Sequence, residues 1–551
     1  MKIKLLTLGI PFFFLINSCS MNKTKADFIL LNARIYTVDS VLSVAGAMAV
    51  SSGKVIATGS QKEIMEHFIA GNIIDAGGKT VYPGFVDAHC HFYGYALNLR
   101  YIMLNGCTSF VEVLLRIKES GKFKPGDWIV GRGWDQNLWT VKIFPDRNKL
   151  DELYPENPVV LTRVDGHVVL ANKSALKKAG IEPVNSFNPG EVEVKNGRLT
   201  GILSERAADY MRNTIPKPGR AEQLSLLAKA RESCFAAGLT TVSDAGLDNE
   251  TVNLLDELGS GPDSAGMIRI YAMLDPSPLN IEKFVRNGPY KTERLHVSSV
   301  KVYADGSLGS RTALLKHPYS DMPCQLGIQV ITADSLRKIC KICFEYGYQV
   351  NTHAIGDSAN KLVLDIYGEY LKEPNDLRWR IEHCQVVDPS DLHKFRDFSI
   401  IPSVQATHAT SDMAWAPDRL GQERTAWAYS YKDLLSQNGW LANGTDFPIE
   451  NISPLLTVYA AVARKNIQGK PENGFLMKNA LNREEALRSI TIWAAKADFW
   501  EKEIGSLEPG KNADFVILDQ DIMQITEDQI HQTSVFATFV GGKEVYQTIK
   551  N

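Results

Sequence analysis

The chain has 551 residues, 44% hydrophobic and 22% charged, which suits a globular protein with a sizeable core and exceeds one minimal domain. A formal net charge of -3, with no Lys/Arg cluster interleaved with aromatics, argues against nucleic acid or strongly acidic partners.

Lys2 and Lys4 precede an apolar run, Leu5 to Ile16, that is too short and too terminal for a membrane span. It fits an export signal over residues 1–18. The run ends in Ile16-Asn17-Ser18-Cys19, which resembles the lipobox of bacterial lipoproteins. That resemblance implies cleavage before Cys19, a lipid on its sulfur and a membrane-anchored protein of the bacterial cell envelope, periplasm-facing or at the surface. Cleavage by an ordinary signal peptidase is the alternative. Residues 19–25 then read as a polar tether.

From Ala26 to Tyr82 the pattern is all-β, with strand-like runs at Phe28–Thr37, Ala47–Val50 and Val55–Gly59, and a hairpin signal at Ser51-Ser52-Gly53-Lys54. This segment is too small to bury a core alone. Strand-like runs near the other end, Ala513–Asp519 and Val535–Tyr546, supply matching material. Residues 26–82 and 503–551 are therefore expected to form one small β-sandwich from both chain ends.

Residues 83–502 alternate strand and helix. The first strand, Gly84 to His91, ends in His89-Cys90-His91, and side chains at i and i+2 of a strand project together. Two imidazoles on one face of a strand end are half of a transition-metal site. Seven further strands are expected at Leu239–Asp244, Ile268–Leu274, Val297–Tyr303, Gln349–His353, Arg378–His383, Ile400–Gln405 and Leu441–Asp446. Helices such as Glu222–Ala237 and Ser335–Tyr346 separate several of them. Eight β/α units in one run predict an α/β fold, a TIM-like (β/α)8 barrel, over a doubly wound sheet. Residues 108–219, between the first two strands, exceed what a connection needs and read as a lid or binding subdomain. The cysteines other than Cys19 show no disulfide framework. Cys340 and Cys343 are expected as small buried residues on a helix, since no second pair completes a zinc site.

At or near the C-terminal strand ends lie His89 and His91, Lys301, His353, His383 and Asp446. That is the face where barrel enzymes place their chemistry. Burying six polar groups in one lumen without a shared partner would be costly, so a common metal is expected. These residues, with Gly84-Phe85-Val86-Asp87-Ala88-His89-Cys90-His91, resemble the amidohydrolase superfamily. The segments Gly131–Gln136, Asp165–His167, Asp305–Ala313, His353–Asp357 and Gly444–Pro448 are similar to its N-substituted formamide deformylase-like, or YtcJ-like, branch.

The resemblance implies a metal-dependent hydrolase with one or two divalent ions, zinc being the expected metal. His89, His91 and Asp446 would hold the first ion, and His353 and His383 the second. Lys301 joins them only if carboxylated on its amine; otherwise a single-metal site of His89, His91, His353 and Asp446 remains. Asp446 is the expected proton carrier for hydrolysis of a C–N bond in a small amide, N-formyl or N-acyl compound. Trp134, His167, Arg311 and Gln405 are candidate substrate contacts, with His408 a further one. A metal-dependent esterase or lactonase, or a non-catalytic exported binding protein, is the alternative. Monomer and homodimer are both open.

Overall fold

The strand-like runs that alternate with helices pair in chain order into one parallel sheet: β1 (Phe85–Cys90), β2 (Leu239–Leu247), β3 (Arg269–Leu274), β4 (Leu295–Tyr303), β5 (Gln349–Ala354), β6 (Arg380–His383), β7 (Ile401–Val404) and β8 (Ala442–Asn443). The computed structural model describes residues 23–164, 168–182, 191–261, 266–372 and 374–548. All eight expected strands are present, and the ring closes between β1 and the chain leaving β8. The Asp446 N–H donates to His89 O (2.8 Å) and the His91 N–H to Phe447 O (2.8 Å).

Asp87 reinforces this seam. Its Oδ1 accepts from the backbone N–H of His89 (3.1 Å) and of Thr445 (3.0 Å), and its Oδ2 from the Thr445 hydroxyl (2.6 Å). Gly444 must lack a side chain for this approach: a Cβ there would stand 2.5 Å from His89 N and 2.6 Å from Asp87 Oδ1.

Register sorts the barrel interior into layers. Tyr303, His353, Glu382 and Ser403 lie side by side across β4 to β7, and Lys301, Asn351 and Arg380 form the layer beneath. Strands buried on both faces normally carry apolar side chains throughout. Across β4 to β6 the inner face is polar, and the chain after the last barrel helix plugs it from below. Arg380 Nη2 donates to Asp498 Oδ1 (2.6 Å), Ser243 Oγ to Asp498 Oδ2 (2.8 Å) and Gln349 Nε2 to Ala497 O (3.0 Å).

The chain ends build two packed sheets. Strands Thr24–Leu31, Ala47–Ser51, Lys54–Gly59 and Phe68–Asp75 form one. In the other, Thr80–Pro83 pairs antiparallel with Phe515–Leu518, which joins the two ends of the chain. Phe28, Met48, Val81, Phe515 and Phe539 share the core between them. The expected hairpin is turned by Ser52 and Gly53, both at left-handed φ (51° and 73°), the conformation a two-residue hairpin loop requires. Between β1 and β2, a six-stranded sheet running from Ile102–Met103 to Arg198–Ser204 carries its own core. Cys340 and Cys343 are buried on helix Ala333–Glu345, and the seven described cysteines are all free.

Replacing Gly444 by Ala should destabilise the protein by about 1–3 kcal/mol through overpacking at the seam. Urea unfolding measures this, with Gly71→Ala, where nothing stands within 4 Å, as control. Equal midpoints for the two variants would show that the seam yields.

Candidate active site

At the C-terminal mouth of the barrel lies a cavity of about 380 Å3 whose lining includes His91, Lys301, His353, His383, His408 and Asp446. His89 sits beneath them, fully buried. Parallel strand pairing delivers Lys301 and His353 from β4 and β5. His383 and Asp446 arrive by sharper bends, at φ 77° and 61°. Non-glycine residues held there cost of order 1–3 kcal/mol each, and such strain collects where a site needs a side chain aimed off the regular strand direction.

The histidine hydrogen bonds fix which ring nitrogen is a free base. His89 Nδ1 donates to Glu382 Oε2 (2.7 Å), His91 Nδ1 to Ala245 O (3.1 Å) and His383 Nδ1 to Gln405 Oε1 (2.7 Å). His353 Nε2 donates to Gly306 O (3.1 Å). Each neutral ring spends its one proton on these acceptors, leaving the other nitrogen as a lone pair. Burial holds three of these rings neutral: it pushes His353 down to about 3 and lowers His89 and His383, helped by the Lys301 charge and, at His383, first by neighbouring His353.

Two of these nitrogens face a carboxylate. His91 Nε2 and His89 Nε2 stand 3.4 Å and 3.7 Å from Asp446 Oδ1, an oxygen that is buried and has no hydrogen-bond partner. His89, His383 and Asp446 offer ligand atoms all within 4.8 Å of one another. Converging acceptors repel unless a cation lies among them, and two or more imidazoles with a carboxylate suit zinc. The side chains behind them, Glu382 and Gln405, are the orienting acceptors that metal-binding histidines use. The donor set fits a divalent metal.

Burial alone would raise Asp446, but His408 and His91 beside it outweigh burial and hold its carboxyl well below the usual range. His408 Nε2 lies 3.3 Å from Asp446 Oδ2, and that carboxylate raises His408 against the effect of burial. Lys301 Nζ lies 3.1 Å from His89 Nε2, and burial pushes its pKa down to about 8 against the pull of Glu382 and Asp446. Asp305 Oδ1 and Oδ2 accept the N–H groups of Ile355 (3.0 Å) and Gly356 (2.8 Å), and Oδ2 also that of Leu314 (2.8 Å), pinning the loop after β4 over the end of β5.

Comparison with known proteins agrees with this geometry. The sequence profile of the amidohydrolase family matches residues 72–546. The protein LONG AFTER FAR-RED 3 of Arabidopsis thaliana is 33% identical over 540 residues, covering 95% of this chain and 92% of the relative. The N-substituted formamide deformylase of Arthrobacter pascens is 25% identical over 547 residues, covering 95% and 98%. The crystal structure of an uncharacterized metal-dependent hydrolase from Pyrococcus horikoshii OT3 superposes with a TM-score of 0.75 at 32% identity, covering 91% of this chain and 99% of that one.

Three expected substrate contacts are corrected. Trp134 is 1% exposed in the core of the inserted sheet, its Nε1 donating to Leu161 O (2.8 Å), so it packs the insertion and does not touch the cavity. Arg311 makes a two-pronged bond to Asp321 (3.0 and 2.7 Å) and is absent from the cavity lining. Gln405 is 1% exposed and holds His383. His167 and Cys19 lie outside the described residues. Sequence reasoning missed Tyr303, Glu382, Gln385, Asp412, Trp415 and Glu450. Tyr303 was findable, since it stands two residues beyond Lys301 on the same strand face.

Gln405→Leu leaves the His383 Nδ1–H without an acceptor and should weaken zinc binding about 10–100-fold. Competition against a chromophoric chelator measures it; wild-type affinity would show that Gln405 does not orient the ring.

Proposed function

The chain belongs to the amidohydrolase family, and from that premise we propose that it is a metal-dependent hydrolase of a C–N bond in a small molecule: an amide, N-formyl or N-acyl compound. The supporting observation is the convergence of histidine lone pairs on the unpartnered Asp446 Oδ1. We assign His89, His91 and Asp446 to one zinc ion and His353 and His383 to a second. Lys301 enters as its N-carboxylated form, because an ammonium cannot coordinate a cation. Its depressed pKa leaves a neutral amine fraction at physiological pH, the form that takes up carbon dioxide.

A cation held by these residues would supply Lewis acidity and lower the pKa of water at the site to around 7. Asp446 does the proton work. Its carboxylate takes a proton from the water whose oxygen adds to the substrate carbonyl carbon, and returns it to the nitrogen as the C–N bond breaks. Nitrogen leaves poorly unless protonated, so this transfer is worth about 10²–10⁴-fold in rate. His408 at Oδ2 fixes the rotation of the carboxylate. Leu308, Ile355 and Trp415 give the cavity apolar walls that limit water around the reacting group.

Zinc-loaded protein assayed on a panel of N-formyl, N-acyl and lactone substrates should turn over the C–N compounds, lose activity on chelation and regain it with zinc. Asp446→Asn should cut turnover at least about 100-fold while keeping the thermal transition. A near-normal rate would remove Asp446 from the proton path, and turnover confined to lactones would replace the C–N reading. The Lys301 peptide, kept from acid, should be heavier by one CO2; an unmodified mass would favour the single-metal site.

We further propose that the N-terminal segment directs export and that Cys19 carries a lipid anchor, on the strength of the Lys2–Cys19 pattern. Cys19→Ser should move the protein from the membrane to the soluble fraction. Unchanged fractionation would count against the anchor.

A further inference from the structure

Two cavities meet at the barrel mouth. Beside the site lies a second, of about 560 Å3, between the helix Phe92–Asn98 and the returning end of the insertion at Arg212–Pro218. His91 and Ile449 line both. Ile449 is 71% exposed, so rotation of one loosely held side chain widens the passage between them.

The two chambers differ in charge. The first holds Asp412, Asp446 and Glu450, with Lys301 the one Lys or Arg among its described lining residues. The second is lined by Arg100, Arg212 and Lys217, with no Asp or Glu among its described lining residues. The Arg100 guanidinium is held in place by a bond to Pro216 O (2.9 Å) and by Glu222, 3.6 Å from its Nε, while Asp209 pairs with Arg212. Neither of those acids lines the cavity. Leu97, Tyr101, Ile215 and Pro448 add apolar wall to the same cavity.

We propose that the second cavity is a substrate subsite for an anion. The substrate is an amide or N-formyl compound whose non-reacting part runs past His91 along Leu97 and Ile215 and ends in a carboxylate near Arg100 and Lys217. This rests on the hydrolase reading above. A guanidinium pre-set by its other bonds loses little freedom on meeting a carboxylate, and its fork matches that group. The cations of the second chamber set the direction in which the molecule lies, amide at Asp446 and anion outward.

The test is a matched pair, N-formyl-6-aminohexanoate and N-formylhexylamine, assayed with the zinc-loaded full chain. The carboxylate compound should show a kcat/KM about tenfold higher, carried mainly by KM, the size expected of about 1.4 kcal/mol of differential binding. In Arg100→Gln/Lys217→Gln that ratio should fall toward unity, and exposed Lys217→Gln alone should lower it part of the way. A wild-type ratio near one, or a variant that slows both substrates while keeping the ratio, would overturn the subsite. Turnover of neither compound would count against the hydrolase reading alone. Calorimetric binding of the same two compounds to wild type and to the double variant then decides the subsite by the same ratio.

Discussion

Asp87 commits both of its carboxylate oxygens to the joint between the first and last barrel strands. Two backbone N–H groups and one hydroxyl converge on it, and two of the three belong to Thr445. The third is the N–H of His89, and the next residue after Thr445 is Asp446, whose own N–H returns to His89 O. The closure of the barrel and the spacing of two candidate ligands are therefore one set of hydrogen bonds. Polar backbone that a parallel strand pair would leave open at its edge is satisfied by the residues that carry the chemistry. Preorganisation follows, because these side chains cannot drift apart without unzipping the ring.

Below the mouth, the interior carries charge where most barrels of this type carry branched apolar side chains. Arg380 and Asp498 are both fully buried and paired, and Arg380 also donates to Ala88 O (3.1 Å), the residue before His89. Breaking such a pair by removing one partner costs about 3–5 kcal/mol, since the remaining charge stays buried. The pair reaches upward through Glu382: the His89 ring, Arg380 and Lys301 keep that carboxyl ionised in spite of its burial. An ionised Glu382 in turn keeps the His89 proton on Nδ1 and the lone pair on Nε2. The floor of the barrel thus sets the tautomer of a residue at its mouth.

The strands were legible because their apolar runs are separated by amphipathic helices of ordinary length. Period two also explains why Lys301 with Tyr303 and Arg380 with Glu382 share the inner face. The acceptors behind the histidines were harder to read. Glu382 is adjacent to His383 in sequence but serves His89, 293 positions away, and nothing in the local pattern marks that partnership. Gln405 was noticed for its place at a strand end, yet that place puts it behind His383, facing away from the cavity. Trp134 and Arg311 sit in segments that resemble the family's motifs, and the structure uses them to hold the insertion and a loop together.

By itself the chain's residue pattern determined the eightfold strand–helix alternation, the pairing of its two ends and the six side chains at strand termini. Those properties depend on periodicity and on which residues can be buried, both local. Only the tertiary structure decided which nitrogen of each histidine is free, which carboxylate oxygen lacks a partner and where the second, cationic chamber opens. Those depend on hydrogen bonds and charges between residues from about twenty to almost three hundred positions apart, and no local pattern encodes which of many acceptors a given donor will meet once the ring has closed.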